Sequence, residues 1–257
     1  MDSGIPARVV SLEPSATSTL FELGQADRVV AVSRWCGRLV DVGDRPQLES
    51  TWSIRREVLT TLAPDLVVAG LPYSARGVEE LLRSGLNVLF LSPSRLEDVF
   101  TDILLLGRLT GADSRAEALV ADMRARIEGA AARSRGLWAP RVYVEVWSKP
   151  LFSGPGWMAD LVEAMGGIFV PEGPGRRVSE EEVLEARPDV VVVAWTGVAA
   201  PRPEAILRRP RWQRVPAVEH GRVEVVDELL FNAPGPGLAQ AANVLSDLVS
   251  RWAPHAT

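Results

Sequence analysis

Short runs of β-branched and other apolar residues alternate with helical patterns along the first part of the chain. The strand-like runs are Arg8–Leu12, Val29–Val32, Leu66–Ala69 and Val88–Leu91. The helical patterns are Ser15–Leu23, Ile54–Leu62, Val78–Ser84 and Leu96–Leu109, while residues 33–53 follow neither period. Because strands buried on both faces are continuously apolar, this alternation predicts a parallel sheet covered by helices.

A single long helix is predicted near the middle of the chain, from Ser114 to about Ser134. Apolar residues recur there at three- and four-residue spacing, and Ser114 followed by Glu117 is typical of a capping box. A helix of roughly twenty residues is about 30 Å long, the width of a small domain. We therefore expect a rigid helix that joins two lobes.

The alternation starts again after this helix. Strands are predicted at Val142–Val146, Val190–Ala194 and Val223–Val226, and helices at Met158–Met165, Glu180–Ala186 and Leu238–Trp252. A Gly/Pro/Trp loop follows the first of these strands, and residues 201–216 form an Arg/Pro-rich stretch. The predicted fold is α/β with two Rossmann-like lobes of parallel sheet: an N-terminal lobe at 1–112, a linking helix at 113–135 and a C-terminal lobe at 136–257.

An internal echo supports two equivalent lobes. In both halves a helical pattern leads through a Pro-Asp pair, Pro64-Asp65 or Pro188-Asp189, into a Val-rich strand. Aligning these pairs places Glu57 and Glu181 each eight residues before the aspartate. A helix–Pro-Asp–strand connection is also a common αβ connection in its own right. We interpret the match as a sign that the two lobes are related.

Composition and net charge exclude several kinds of binding partner and site. The chain has 257 residues, a net charge of −5 and a pI near 5.3, which argues against binding to nucleic acid or anionic membranes. Cys36 is the only cysteine, so the sequence predicts no internal disulfide and no multi-cysteine metal site. Residues 1–6 lack the pattern of a signal peptide; either one has been removed or the protein is cytoplasmic.

No enzyme class is indicated. His220 and His255 are the only histidines, which argues against a His-based triad or a multi-His metal site. Lys149, the only lysine, precedes a proline, and there is no phosphate-binding loop. Residues 154–159 match G-x-G-x-x-A, but residues 147–153 separate them from the preceding strand, whereas a dinucleotide site needs a tight strand–helix turn.

Aromatic residues follow the predicted strands. The chain has eight tryptophans, and several aromatic side chains fall in loops at the carboxyl ends of strands, where α/β proteins bind ligands. Taken singly, each is more often a core or loop anchor. Together they suit a large, flat, weakly charged ligand. The candidate ligand-binding residues are Trp35, Trp52, Tyr73, Phe152, Trp157, Trp195 and Phe231.

The motifs resemble those of a known family. The opening from Arg8 to Thr17, followed by Leu20-Phe21-Glu22-Leu23-Gly24 and the run from Asp27 to Ser33, is similar to the start of the helical-backbone substrate-binding proteins of ABC importers. Later matches are Ser50-Thr51-Trp52, the run from Glu57 to Val68, Val178-Ser179-Glu180-Glu181, Phe152-Ser153-Gly154 and the closing helix. These cover nearly the whole chain, and the closest resemblance is to the cobalamin-binding members.

The resemblance implies two lobes, a rigid helix and a ligand held in the cleft between the lobes, with no cofactor of the protein's own. It also implies that Glu57 and Glu181 dock arginines of a dimeric membrane permease. A monomer in the periplasm or at the cell surface is expected on this basis. The sequence departs from the cobalamin-binding pattern at Gly70 and Gly175, where those members carry tryptophans, and in the segment after Ser33.

Three ligands are weighed from the residues. Haem needs an axial ligand, which Tyr73 or Cys36 could supply. A ferric siderophore needs converging arginines, which could be Arg34, Arg38, Arg176 and Arg177. Cobalamin is bulky, nearly neutral and fringed with amides, so it needs aromatic walls and scattered polar groups. The aromatic loops favour cobalamin or a related corrinoid. Siderophore or haem binding in the same fold, and a cytoplasmic Rossmann-like enzyme, are the alternatives.

Overall fold

The computed structural model describes residues 4–49, 56–70, 75–198 and 200–253 of the chain. They form two compact units. The N-terminal unit comprises the described residues of Met1–Pro93 with Asp98–Asp122, and the C-terminal unit those of Ser94–Glu97 with Met123–Thr257. Within the described ranges, no helix has the length and apolar character that a membrane span requires.

The N-terminal unit is built on a five-stranded parallel sheet. Its strands are β1 (Val9–Ser11), β2 (Val29–Ser33), β3 (Gln47–Leu48), β4 (Leu66–Gly70) and β5 (Val88–Leu91), in the order β3-β2-β1-β4-β5. Val9, Val10, Val67 and Val68 are fully buried, as expected for strands covered on both faces. Strand β3 was not predicted, because two residues are too short for a period to be visible.

The helices of this unit follow the predicted pattern closely. They are α1 (Pro14–Glu22), α2 (Arg56–Leu62), α3 (Ala75–Leu82) and α4 (Leu96–Thr110), the last of which begins in residues assigned to the C-terminal unit. Pro14 stands at the start of α1, where its fixed φ favours a helix and its missing N–H costs nothing. Helices α1, α2 and α3 each return the chain to the amino edge of the sheet, so the strand that follows runs parallel to the one before it.

The long helix α5 (Asp113–Ser134) connects the two units and contributes residues to both. Its 22 residues span about 33 Å. Ala116, Val120, Met123 and Ile127 are buried at the predicted spacing, which confirms the helix. The helix begins one residue earlier than predicted. Ser114 therefore lies in the first turn rather than at the N-cap position that the capping box requires.

The C-terminal unit also contains a five-stranded sheet, but one of its strands is antiparallel. Strands β6 (Arg141–Ser148), β8 (Ile168–Phe169), β9 (Val190–Val193) and β10 (Val223–Val225) pair in parallel, while β7 (Leu151–Ser153) forms a hairpin with β6. The order is β10-β9-β6-β7, with β8 on the same side of β6 as β7. The predicted loop after β6 is thus partly strand, and the predicted parallel sheet is confirmed with β7 as its one antiparallel strand among the described residues.

The remaining helices cover this second sheet. They are α6 (Gly156–Ala164), α7 (Glu180–Ala186), α8 (Glu204–Leu207), α9 (Pro216–Glu219), α10 (Glu228–Asn232) and α11 (Leu238–Trp252). The Arg/Pro-rich stretch, for which no element was predicted, contains α8 and the start of α9. Prolines precede or open these short helices and limit their length.

The internal echo is confirmed as an equivalent connection in both units. Helices α2 and α7 are each followed by a residue with φ of 44°, Ala63 in one unit and Arg187 in the other. A proline, an aspartate and the next strand then follow in the same order. Both connections therefore turn the chain from helix to strand with the same left-handed residue.

Candidate functional site

Two of the described aromatic candidates, Trp35 and Trp195, lie in loops after strands as predicted, whereas Phe152 lies within a strand and Trp157 in a helix. Phe231, predicted to precede a loop and face ligand, is a fully buried residue of helix α10. Trp35 follows β2, Phe152 lies in β7, Trp157 lies in the first turn of α6, and Trp195 follows β9. Trp52 and Tyr73 lie outside the described residues. The edge at which parallel strands end is the usual ligand side of an open α/β sheet.

Trp35 is half-buried and flanked by two cations in the N-terminal unit. The guanidinium carbon of Arg34 lies 4.9 Å from the centre of the indole ring, and that of Arg38 lies 5.6 Å away. Cation–π contacts of this kind hold an aromatic ring in place while leaving part of it in solvent. Trp35 therefore offers a partly fixed aromatic surface with positive charge beside it.

Phe231 and Trp157 form one arrangement in the C-terminal unit. The indole Nε1–H of Trp157 donates a 3.0 Å hydrogen bond to the carbonyl oxygen of Phe231. Phe231 itself is fully buried in α10, whereas Trp157 and Phe152 are half-buried. The backbone of Phe231 thus fixes the indole of Trp157, and its own ring belongs to the interior of the unit.

Trp195 is held by a carboxylate that the sequence reasoning missed. Its Nε1–H donates a 2.8 Å hydrogen bond to Oε1 of Glu145, a residue in the middle of β6 with 0% of its surface exposed. A buried glutamate within an otherwise apolar strand is costly unless it is paired. The signal was present in the sequence, since Glu145 interrupts the run Val142-Tyr143-Val144-Glu145-Val146.

Arg209 pairs with Glu145 from the Arg/Pro-rich stretch. Its Nη1 and Nη2 donate hydrogen bonds of 2.8 and 2.7 Å to the two carboxylate oxygens, and its guanidinium carbon lies 4.4 Å from the centre of the buried Trp212 ring. This bidentate geometry, with stacking behind it, fixes the guanidinium in one orientation. Nothing local in the sequence connects residue 209 to residue 145.

A cavity of about 1140 Å³ opens beside this arrangement, entirely within the C-terminal unit. We call it the basic pocket. It lies where β6 and β9 end, and the residues that define it here are Ser148, Lys149, Trp195, Arg202, Arg208 and Arg209. Glu204 is the one carboxylate among its lining residues. The volume slightly exceeds the range of about 300–1,000 Å³ that is usual for small-molecule sites.

The corresponding edge of the N-terminal unit carries a carboxyl group of a different kind. Glu13 follows β1, and its Oε2 lies so close over Gly70 that a Cβ at position 70 would approach it to 2.3 Å. Burial raises the pKa of Glu13 from 4.5 to about 7, against the lowering effect of hydrogen bonds from Ser15. The absence of a side chain at Gly70, a departure from the cobalamin-binding pattern, is what admits Glu13 here.

Cys36 lies in a polar cluster behind the same edge. Thr17 Oγ1 lies 3.0 Å and Ser33 Oγ 3.2 Å from the Cys36 sulfur, and Thr17 also donates a 2.7 Å hydrogen bond to Ser11 Oγ. Burial raises the pKa of the Cys36 thiol. The thiol is therefore protonated and enclosed, which gives Cys36 a packing role between α1 and β2.

The two candidate docking glutamates occupy equivalent positions, five residues before the last residue of α2 and of α7. Both are exposed. Glu181 also makes an ion pair, because its Oε1 accepts a 2.6 Å hydrogen bond from Nη1 of Arg211, and that bond holds the pKa of Glu181 below its usual value. Arg211 contacts Glu180 as well, at 2.9 Å.

Comparison with known proteins gives a consistent picture. Residues 9–229 match the profile of the family described as periplasmic binding protein. A protein of Halobacterium salinarum named cobalamin-binding protein is 30% identical over 261 residues, covering 91% of this chain and 67% of that protein.

Solved structures share the fold at lower sequence identity. A periplasmic heme binding protein from Pseudomonas aeruginosa has a TM-score of 0.84 at 22% identity, covering 98% of this chain and 96% of the other. The periplasmic vitamin B12 binding protein BtuF of Vibrio cholerae has a TM-score of 0.76 at 21% identity, covering 96% and 97%. At these identities the match establishes the two-lobed fold with a long connecting helix.

Proposed function

The chain belongs to the periplasmic binding protein family, whose members serve ABC transporters, and we propose that it captures cobalamin or a related corrinoid for import. The family consists of transport proteins rather than enzymes. The proposed place of action is the periplasm or the cell surface, and the proposed acting form is a monomer that delivers its ligand to a membrane permease.

One observation supports this proposal most directly: partly exposed aromatic side chains, each fixed by a polar neighbour, lie at the carboxyl edges of both sheets. Trp35 is flanked by arginines, Trp157 is bonded to the Phe231 carbonyl, and Trp195 is bonded to Glu145. Aromatic surfaces that are already oriented bind a flat ring system with little further loss of side-chain entropy. The proposed ligand surfaces are these three tryptophans, together with Phe152, Trp52 and Tyr73.

A calorimetric titration with cyanocobalamin tests whether the protein binds a corrinoid. We expect saturable one-to-one binding by the wild type and a loss of about thirtyfold in affinity for Trp52→Ala, which corresponds to about 2 kcal/mol for an aromatic anchor. The melting temperature of this variant should be unchanged if Trp52 lies against ligand rather than in the core. Wild-type protein that binds haem or a ferric hydroxamate but no corrinoid contradicts the assignment.

We further propose that Glu57 and Glu181 dock the permease. Two exposed carboxylates at equivalent places steer and orient a partner that presents arginines. The double variant Glu57→Ala/Glu181→Ala is expected to bind ligand normally and to abolish permease-dependent uptake. A matched control is Glu22→Ala/Glu219→Ala, which removes two exposed helix-end glutamates. Uptake that survives the first pair, or is lost equally with the second, rules out the docking role.

The ordinary alternative for both residues is a first-turn glutamate favoured by the helix dipole. Among the described residues, Glu181 is the docking candidate that is seen in an ion pair, with Arg211. If Arg211 competes with the permease for Glu181, Arg211→Ala should leave uptake intact or improve it. Loss of uptake in Arg211→Ala would instead mean that Arg211 holds Glu181 in its docking orientation.

A further inference from the structure

We propose that the basic pocket of the C-terminal unit is an oxyanion subsite, which binds a phosphate or carboxylate group carried by the transported ligand. This inference rests on the proposed transport function and deepens it, because it assigns a charge to one part of the ligand. It concerns residues that the sequence reasoning did not select, apart from Trp195.

The first support is the balance of charge around the pocket. Within the described part of the chain, no carboxylate is seen paired with Lys149, Arg202 or Arg208, and Glu204 is the one acidic residue that lines the cavity. The fourth cation, Arg209, is already matched by Glu145. Three cations against one carboxylate leave an excess of positive charge in a protein whose net charge is −5. Such a local excess attracts an anion.

The second support is the rigid frame behind those cations. Arg209 is 16% exposed and is fixed by two hydrogen bonds to Glu145 and by the face of Trp212. It lines the same wall as Arg208, its neighbour in the chain. Arg209 thus supplies a fixed part of the pocket wall, while the exposed Arg202 and Arg208 supply guanidinium groups that match the geometry of two oxygens on one phosphorus or carbon.

The third support is the size and placement of the cavity. At about 1140 Å³ it is far larger than a single phosphate or carboxylate needs, so the group should enter as part of a larger molecule. Trp195, one of the proposed ligand-contacting aromatics, lines the pocket beside the cations. An apolar ring and an oxyanion from the same ligand can therefore be bound side by side.

The oxyanion that this pocket would bind can belong to either of two ligands. In a corrinoid the oxyanion is the phosphodiester of the nucleotide loop, which cobinamide lacks. In haem it is a propionate carboxylate, which the dimethyl ester lacks. Cobinamide lacks the ribose and benzimidazole of the nucleotide loop together with its phosphodiester, whereas the dimethyl ester of haem differs from haem only at the carboxylates. For the corrinoid pair, the readout is therefore the change in preference between wild type and a variant that lacks Arg202 and Arg208, which isolates the contribution of these arginines.

The test compares wild type with Arg202→Gln/Arg208→Gln, and uses Arg135→Gln as the matched control. Both arginines of the double variant are exposed, so the change should leave folding intact, and Lys149→Gln provides a second, single change in the same pocket. Arg135 is an exposed arginine of this unit that precedes β6 and does not line the pocket.

Inorganic phosphate is the first probe and does not depend on the identity of the transported ligand. Phosphate should raise the melting temperature of wild type and of Arg135→Gln more than that of the double variant at equal ionic strength. Because phosphate also stabilises proteins by exclusion from their surfaces, the difference between variants is the readout. Equal shifts in all three proteins overturn the proposal.

The ligand pairs then identify the source. Wild type should bind cyanocobalamin at least about tenfold more tightly than cobinamide, the range for charge-assisted hydrogen bonds, and the double variant should lose this preference while still binding cobinamide. If no corrinoid binds, the cobalamin assignment fails, and haemin against its dimethyl ester tests the pocket in the same way. A preference that persists in the double variant places the anion elsewhere and overturns the subsite.

Discussion

The two units make the connection from helix to strand with the same contacts. In the N-terminal unit, Oδ2 of Asp65 accepts a 2.8 Å hydrogen bond from the backbone N–H of Arg8, and the Arg8 guanidinium donates to carbonyls at the end of α2. In the C-terminal unit, Oδ2 of Asp189 accepts a 2.8 Å bond from the N–H of Arg141, whose Nε donates to the carbonyl of Ala186 at the end of α7. The amino edges of the two sheets are thus alike.

The carboxyl edges are not alike. Glu13 in the N-terminal unit lies over a bare glycine with a hydroxyl as its neighbour, and its pKa is raised to about 7. Glu145 in the C-terminal unit is fully buried, paired with Arg209 and bonded to Trp195. The carboxyl edge of one sheet therefore carries a carboxyl whose raised pKa favours its neutral form, and the carboxyl edge of the other carries an ion pair. In open α/β sheets ligands bind at the carboxyl ends of the strands, so a difference between the two units at this edge bears on the proposed ligand site.

The largest expected effect comes from breaking the buried pair. Arg209→Ala leaves the Glu145 carboxylate buried without its cation, and such losses cost about 3–5 kcal/mol of unfolding free energy. Urea denaturation of the purified protein measures this. The matched control is Arg135→Ala, which removes an exposed pair with Glu128 and should cost under ~1 kcal/mol. Equal losses for the two variants would mean that the Glu145–Arg209 pair contributes no more than a surface contact.

A smaller effect is expected from the carboxyl of the other edge, and it depends on pH. The pKa of Glu13 is raised in the folded state from 4.5 to about 7, so the folded protein binds the proton more tightly than the unfolded chain. Stability from this group is fully present below about pH 4.5 and is lost as the pH rises towards 7 and beyond, by up to roughly 3 kcal/mol. Partial solvent access to the carboxyl reduces this figure.

Glu13→Gln should remove this dependence. The variant is expected to be more stable than wild type at pH 8 and to differ little at pH 4.5, as measured by urea denaturation at both values. Glu22→Gln, an exposed glutamate at the end of the same helix, is the control. The raised pKa of Glu13 is contradicted if Glu22→Gln gains as much stability at pH 8 as Glu13→Gln does. It is also contradicted if Glu13→Gln is less stable than wild type at pH 8.

The elements that the sequence predicted well are those marked by a clear local pattern, either a helical period or a short continuous apolar run. Val88–Leu91, Glu180–Ala186 and Leu238–Trp252 have the predicted bounds without change. The two-residue strands β3 and β8 and the hairpin strand β7 were missed, because their pairing depends on neighbours distant in the chain. The three-residue strands β1 and β10 were predicted because each lies in a Val-rich run, so a local apolar pattern rather than strand length decides what the sequence shows.

The candidate site divides in the same way. The aromatic residues were identified because strand ends can be located from the pattern of apolar runs. The partners that orient them were not, since Glu145 and Arg209 are 64 residues apart and meet only in the folded unit. Gly70 departs from the cobalamin-binding pattern in the sequence itself, but the close approach of Glu13 to it depends on how β1, α1 and β4 pack in the folded unit.

The smallest expected effect tests the likeness of the amino edges. Asp65 accepts hydrogen bonds from the N–H groups of Ala7 and Arg8, both at 2.8 Å, whereas Asp189 is bonded to that of Arg141. Net contributions of about 1 kcal/mol for each such bond predict that both alanine variants are destabilised, Asp65→Ala somewhat more than Asp189→Ala. Solvent access to Asp65 limits the difference, because water can replace the lost acceptor.

Asparagine variants sharpen this test, since an amide oxygen can still accept from the strand. Asp65→Asn and Asp189→Asn should recover much of the stability lost in the alanine variants, while Asp27→Ala, at an exposed aspartate of the N-terminal unit, should change little. The two sites lie in separate units, so the losses in the double alanine variant should add. If only one of the two alanine variants is destabilised, the contacts of Asp65 and Asp189 share a geometry but contribute unequally to stability. The two amino edges would then be equivalent in structure and not in energy.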